Sequence, residues 1–224
     1  MSFRKTCHYH APFMGGNIYT SEVSHYGLFG WTNTNPTGSE LGPTINEVDG
    51  GGVAIALDSQ NLAEYVHLFM DDVLPFNVGN IENIFFEMYA TGVTANTTIV
   101  CGFAGESSSY LASIADCVWF RATGSTALNV ETRDGANNTE QAAGLTLSST
   151  GYQQYDIDFT KGINDIRFLG DDGSHVRPIA RRNTFTIANN PLGQFQFFAR
   201  VEKTQSTDTP VLFVRSLDIE YRPN

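Results

Sequence analysis

The chain has 224 residues, enough to bury a full core as one all-β unit. Hydrophobic residues make up 41%, aromatics 12% with 16 Phe and 9 Tyr, and charged residues 17%, a balance that argues against a disordered or a long helical chain. A formal net charge of -11 argues against a nucleic-acid partner, since affinity for phosphates comes from Lys and Arg, and no apolar stretch has the length of a membrane span or a signal peptide.

In chain order, residues 1–47 are rich in Gly, Pro, Asn, Thr and Tyr and show no sustained period, so they read as an N-terminal arm plus long loops. The body is expected over 48–224. Val53, Ile55 and Leu57 share one strand face, and residues 59–69 fit either a short helix or a strand. Ile84, Phe86 and Met88 alternate with Phe85, Glu87 and Tyr89; Ile99, Cys101 and Phe103 share a face; Val118 and Phe120 oppose Cys117 and Trp119. A Gly124-Ser125 turn leads to Leu128 and Val130, which alternate with Asn129 and Glu131. Tyr155, Ile157 and Phe159 point in, with Asp156 and Asp158 out, and strands follow at 165–170, 184–188, 194–203 and 211–221. About ten strands without a sustained helical period predict an all-β fold, a two-sheet antiparallel jelly-roll β-sandwich carrying an N-terminal arm.

Candidate chemistry is sparse. Asp218 and Glu220 lie roughly 6.5–7 Å apart on one strand face, a spacing at which paired carboxylates act on glycosidic bonds, yet Asp, Glu and Arg222 alternating on a last strand read as a solvent face. Asp156 and Asp158 read the same way. Cys7, His8 and His10 are metal-ligand types without a second cluster, and Asp71, Asp72, Asp171 and Asp172 lack the spacing of a calcium loop, so no metal and no cofactor are expected. Three cysteines, Cys7, Cys101 and Cys117, are expected as free thiols. Trp119 reads as core, while Trp31, Tyr89, Tyr110 and Tyr152 are candidates for stacking on sugars. Arg177, Arg181 and Arg182, beside His175, form a basic island. No nucleophile motif is present, and no enzymatic activity is expected.

Leu74-Pro75-Phe76 before a strand, Gly102-Phe103-Ala104 before a Ser-rich turn, Trp119-Phe120-Arg121, Glu131-x-Arg133-Asp134 and a closing hairpin from Lys203 to Tyr221 together resemble a group of concanavalin-type, laminin-G-like jelly rolls common in tailed bacteriophages. The resemblance covers residues 50–224. It implies a structural virion protein, a capsid decoration or cement subunit on the outside of a phage head, made in the host cytoplasm. Its expected partners are a major capsid protein and copies of itself, a trimer by analogy, with no nucleic acid and no membrane. Docking is expected through the arm, with Phe3, Tyr9, Phe13 and Tyr19, and through Arg177, Arg181 and Arg182 on the periphery. The alternative is a lectin-like carbohydrate-binding module that adheres to cell-surface glycans.

Overall fold

Strands that alternate as strictly as 155–159 bury one face only, so they require a second layer to pack on. The computed structural model describes residues 7–11, 23–26, 29–34, 44–48, 52–70, 76–135, 137–189 and 193–222. The first strands are β1 (Cys7–Ala11), β2 (Val23–Tyr26), β3 (Phe29–Thr34), β4 (Thr44–Val48), β5 (Gly52–Ala56), β6 (Leu62–Phe69) and β7 (Phe76–Asn77). Then come β8 (Ile81–Thr91), β9 (Thr97–Ala104), β10 (Asp116–Thr123), β11 (Ala127–Asp134) and β12 (Asn138–Thr146). The last are β13 (Gln153–Asp158), β14 (Arg167–Asp171), β15 (Val176–Ile179), β16 (Gln194–Ser206) and β17 (Val211–Tyr221). Among the described residues there is no α-helix, only single 3-10 turns at Val78–Asn80 and Leu111–Ser113.

These strands form a two-sheet antiparallel sandwich of jelly-roll type. Sheet A runs β15-β14-β13-β8-β17-β5-β4, and sheet B runs β12-β11-β10-β9-β16-β6-β3-β2. β17 pairs with β8 from end to end, but its other edge is shared: β5 takes Val211 to Arg215 and β1 takes Leu217 to Tyr221. The partner changes at Ser216, whose φ of 57° accompanies a shift of register between Arg215 and Asp218. Such a bulge bends the strand so that one edge can serve two partners.

The main core lies between the sheets. Ile84, Phe86 and Met88 from β8, with Tyr155 and Ile157 from β13, meet Ile99, Cys101 and Phe103 from β9, Val118 and Phe120 from β10, and Phe197 from β16. Phe120 meets Phe86, Tyr155 and Phe168 edge to face, contacts that add about 0.5–1.5 kcal/mol each beyond the buried area.

Two segments differ from the sequence reading, and a third is settled between its two alternatives. Within the first 47 residues, expected as arm and loops, β1 joins β17 and β3 joins β6, edges distant in sequence, while β4 forms a hairpin with β5; none of these carries a local period. Residues 62–69 resolve as a strand, because β16 and β3 pair with both edges of β6. Residues 184–188, expected as a strand, form none. Phe185 and Ile187 do alternate into the core, but the backbone makes an isolated bridge between Ile166 and Phe185 and a bond from Ile187 N–H to the Ile163 carbonyl rather than a ladder.

Candidate functional site

The outward face of sheet B is apolar in its middle as well. Val100, Cys117 and Trp119 point away from the main core and join Phe69, Ala104 and Phe198 in a second cluster. The segment 105–115 covers it with Leu111 and Ile114. Gly102 lets β9 pass beneath Trp119, since a Cβ there would come within 2.6 Å of the Trp119 backbone.

Two arginines fasten the covering segment to the sheet. Arg200 on β16 donates to the carbonyls of Ser108 and Ser109 at 2.8 Å each, and its guanidinium lies 4.1 Å from the ring centre of Tyr65. The Tyr65 hydroxyl donates a further bond to Ser109 Oγ at 3.0 Å. From the other side, Arg133 on β11 donates to the Leu111 carbonyl at 2.9 Å. Charge-assisted bonds of this kind contribute about 1.5–3 kcal/mol each, so the segment is held as a fixed wall.

Between that wall and the strands runs an open cleft of about 760 Å³. Tyr65, Arg200 and Glu202 line one side, Arg121 and Arg133 the other, and Tyr110 stands on the wall at 74% exposure. Tyr110 is the only large hydrophobic side chain exposed to that degree among the described residues.

Three acids of this face, Glu131, Glu140 and Glu202, are engaged by the protein itself. Glu131 is fully buried, and its oxygens accept from Trp119 Nε1 at 2.8 Å, Arg121 at 3.0 Å and Arg133 at 2.6 Å. Glu140 accepts from Arg121 and Asn129, and Glu202 accepts from Arg200 at 2.9 Å. His67 sits between Phe69, Phe198 and Tyr65; burial, helped by the Arg200 charge, pushes its pKa down to about 3, so it is a neutral packing ring.

The residues singled out in the sequence are scattered over other faces. Phe3, Phe13 and Tyr19 lie outside the described residues, as do Asp71 and Asp72. Tyr9 is half-buried on β1 against Phe76, and that burial raises its pKa. Arg177 is tied to Asp172 at 2.8 Å, holding that carboxyl down at about 2, while Arg181 and Arg182 are exposed. The pairing of β1 with β17 does bring two motifs together: His8 lies 3.7 Å from Asp218 and 3.6 Å from Glu220, and His10 lies 3.9 Å from Asp218. These separations exceed hydrogen bonds and the groups are half-exposed, so they are weak pairs. Among the described residues no three His, Cys, Asp or Glu side chains are arranged to hold a metal ion. Cys7, Cys101 and Cys117 are free, and burial pushes the last two thiols well up.

Tyr89 and Tyr152 occupy the outward face of sheet A instead, where Tyr89 stacks on Phe213 and Arg215 covers Tyr152. Sequence reading missed Tyr65, Arg200 and Glu202, because their meeting with 105–115 depends on the register of β6 on β16 and leaves no local signal.

No family model matches the chain, and no curated protein matches it by sequence. Solved structures match by shape. The winged bean acidic lectin complexed with methyl-α-D-galactose has a TM-score of 0.64 at 8% identity, over 97% of this chain and 99% of that one. A Bacillus licheniformis β-glucanase gives 0.54 at 13% identity, over 97% and 98%. A protein of unknown function from Shewanella oneidensis MR-1 gives 0.61 at 11% identity, over 97% and 87%. The matched structures named here include no capsid-decorating protein. At these identities the likeness establishes a fold, the concanavalin-like jelly roll, which lectins and glycosidases share.

Proposed function

We propose that the chain is a non-catalytic carbohydrate-binding module that seats a saccharide in the cleft on sheet B. The observation that carries this reading is Tyr110, exposed at 74% on the arginine-anchored wall and facing a cleft edged by planar polar side chains. The negative π-face of a tyrosine attracts the polarised C–H groups of a sugar ring, while guanidinium and carboxylate groups bond its hydroxyls. A cleft of about 760 Å³ accommodates a short oligosaccharide. The fold is shared with a lectin crystallised with a methyl galactoside, which fits the reading without specifying the sugar.

Binding without hydrolysis is supported by the state of the acids. Glycosidases need two carboxyl groups free to serve as proton donor and as nucleophile or base. Glu131 spends its oxygens on Trp119, Arg121 and Arg133, and Glu140 and Glu202 are likewise engaged. A screen against immobilised glycans, paired with a reducing-end assay on every glycan retained, tests both halves: retention without new reducing ends is expected, and release of sugar ends the non-catalytic reading.

A second reading, capsid decoration, draws on Arg181 and Arg182, an exposed basic pair on an acidic protein that suits an acidic surface. Co-sedimentation with phage heads, lost in an Arg181→Glu, Arg182→Glu variant, would favour it over glycan binding.

A further inference from the structure

At one end of the sandwich the crossovers from β5 to β6 and from β16 to β17 lie side by side. The two crossovers meet, with Leu57 N–H donating to the Pro210 carbonyl. Lys203 is the inward-facing residue of β16 at this corner, and its register partner on β6 is Glu64. A lysine in that place points an ammonium into the protein, and its side chain has no exposure.

The surroundings of that ammonium are all oxygen. Nζ donates to the carbonyls of Asp58 at 2.6 Å, Gln60 at 2.8 Å and Asp208 at 3.1 Å. Glu64 Oε2 lies at 3.3 Å and Asp58 Oδ1 at 3.9 Å. An ammonium has three protons, and the three carbonyls use them. Glu64 Oε2 is left with the ion-pair contact alone, and Glu64 Oε1 and Asp58 Oδ2 are buried with no hydrogen-bond partner. The shell offers more oxygens than a lysine can serve, and carries two carboxylates against one positive charge.

We propose that this corner is a cation cage whose occupant is the Lys203 ammonium, and that calcium takes its place when the ammonium is removed. A hard divalent cation binds this mixture of backbone carbonyls and carboxylates, at about 2.3–2.6 Å, with no directional donors to run out. Its second charge balances both acids. Burial, with Asp58 alongside, pushes the Glu64 pKa up to about 7 against the pull of Lys203, which agrees with a single positive charge being too little for the pair. In the native chain Lys203 thus does the work of a structural ion, cross-linking the 57–61 and 207–210 crossovers. This assignment does not rest on a ligand in the cleft, although Glu64 and Lys203 also border it.

The test is thermal unfolding of wild type and Lys203→Ala, each in chelator and in excess calcium, with terbium luminescence as a direct probe of the site. Wild type is expected to melt at one temperature in both conditions and to give no terbium signal from the corner. Lys203→Ala should lose roughly 6–20 °C in chelator, regain at least half of it in calcium, and show terbium luminescence that calcium displaces. Absence of a calcium-dependent gain in Lys203→Ala overturns the proposal, including the case in which the chain stays unfolded with calcium present. A Lys203→Met, Glu64→Gln double variant, which removes the cation with one counter-charge, should fold in chelator and ignore calcium. A calcium response there equal to that of Lys203→Ala places the ion elsewhere and also overturns the cage.

Discussion

Trp119 donates its indole N–H to Glu131 across 2.8 Å, and neither side chain reaches solvent. The bond joins β10 to β11 on the outward face of sheet B, where the two residues are register partners. It makes Glu131 a buried anchor for Arg121 and Arg133, which line the cleft, rather than a reactive acid. Replacing Glu131 with Gln removes the charge that Arg121 and Arg133 share, and a broken pair of this depth costs about 3 kcal/mol. Urea unfolding should show that loss, while Arg121→Lys, which keeps the charge, should lose less.

Asp156 supplies a dependence on pH. Burial, reinforced by Asp158 and Glu220, raises its pKa from 3.8 to about 6. The folded protein therefore holds a proton that the unfolded chain gives up between pH 4 and 6, so stability contributed here is present below pH 4 and lost as pH rises through 6. Asp156→Asn removes that loss. After allowance for solvent screening, the variant should be about 1–2 kcal/mol more stable than wild type at pH 7 and no more stable at pH 4, measured by denaturant unfolding at both.

The covering segment stands on Arg200. Arg200→Lys keeps a positive charge but cannot bond both Ser108 and Ser109 while lying flat on Tyr65. The expected cost is about 2 kcal/mol, with faster amide hydrogen exchange confined to residues 105–115. Unchanged exchange there would show that Arg133 alone holds the segment.

Deleting residues 1–11 separates a free arm from an integral strand. β1 occupies the half of the β17 edge that β5 leaves open, and Tyr9 packs on Phe76. The truncated protein should lose about 2–3 kcal/mol and expose the 217–221 edge to self-association, which light scattering would detect.

The layered fold was legible where apolar residues alternate. Phe86, Phe103, Phe120 and Tyr155 all fell on the core side read for them, because a period of two fixes a face once a second sheet exists. What covers the other face was not legible. Trp119 reads as buried from its apolar neighbours, but the cover comes from a Ser-rich stretch, 105–115, that looks like a solvated turn until Arg133 and Arg200 are seen to pin it. The early strands were hidden for a related reason: β1 through β4 are short and carry no period, and their places are set by an edge more than a hundred residues away for β1, by β6 for β3, and by the neighbouring β3 and β5 for β2 and β4. Tyr65 and Arg200 likewise meet only through strand register, so the cleft has no signature in the chain order.

Tyr110 decides the central claim. Being exposed, with its ring outside both apolar clusters, it can be changed to Ala with a stability effect within about 0.5 kcal/mol. The most direct measurement is a glycan array probed in parallel with wild type and Tyr110→Ala, followed by calorimetry on the retained sugars. The account predicts that wild type retains at least one glycan and that Tyr110→Ala binds it about tenfold more weakly or worse, while Tyr110→Trp keeps it. A chain that binds no glycan, or one that binds equally well without the Tyr110 ring, contradicts it.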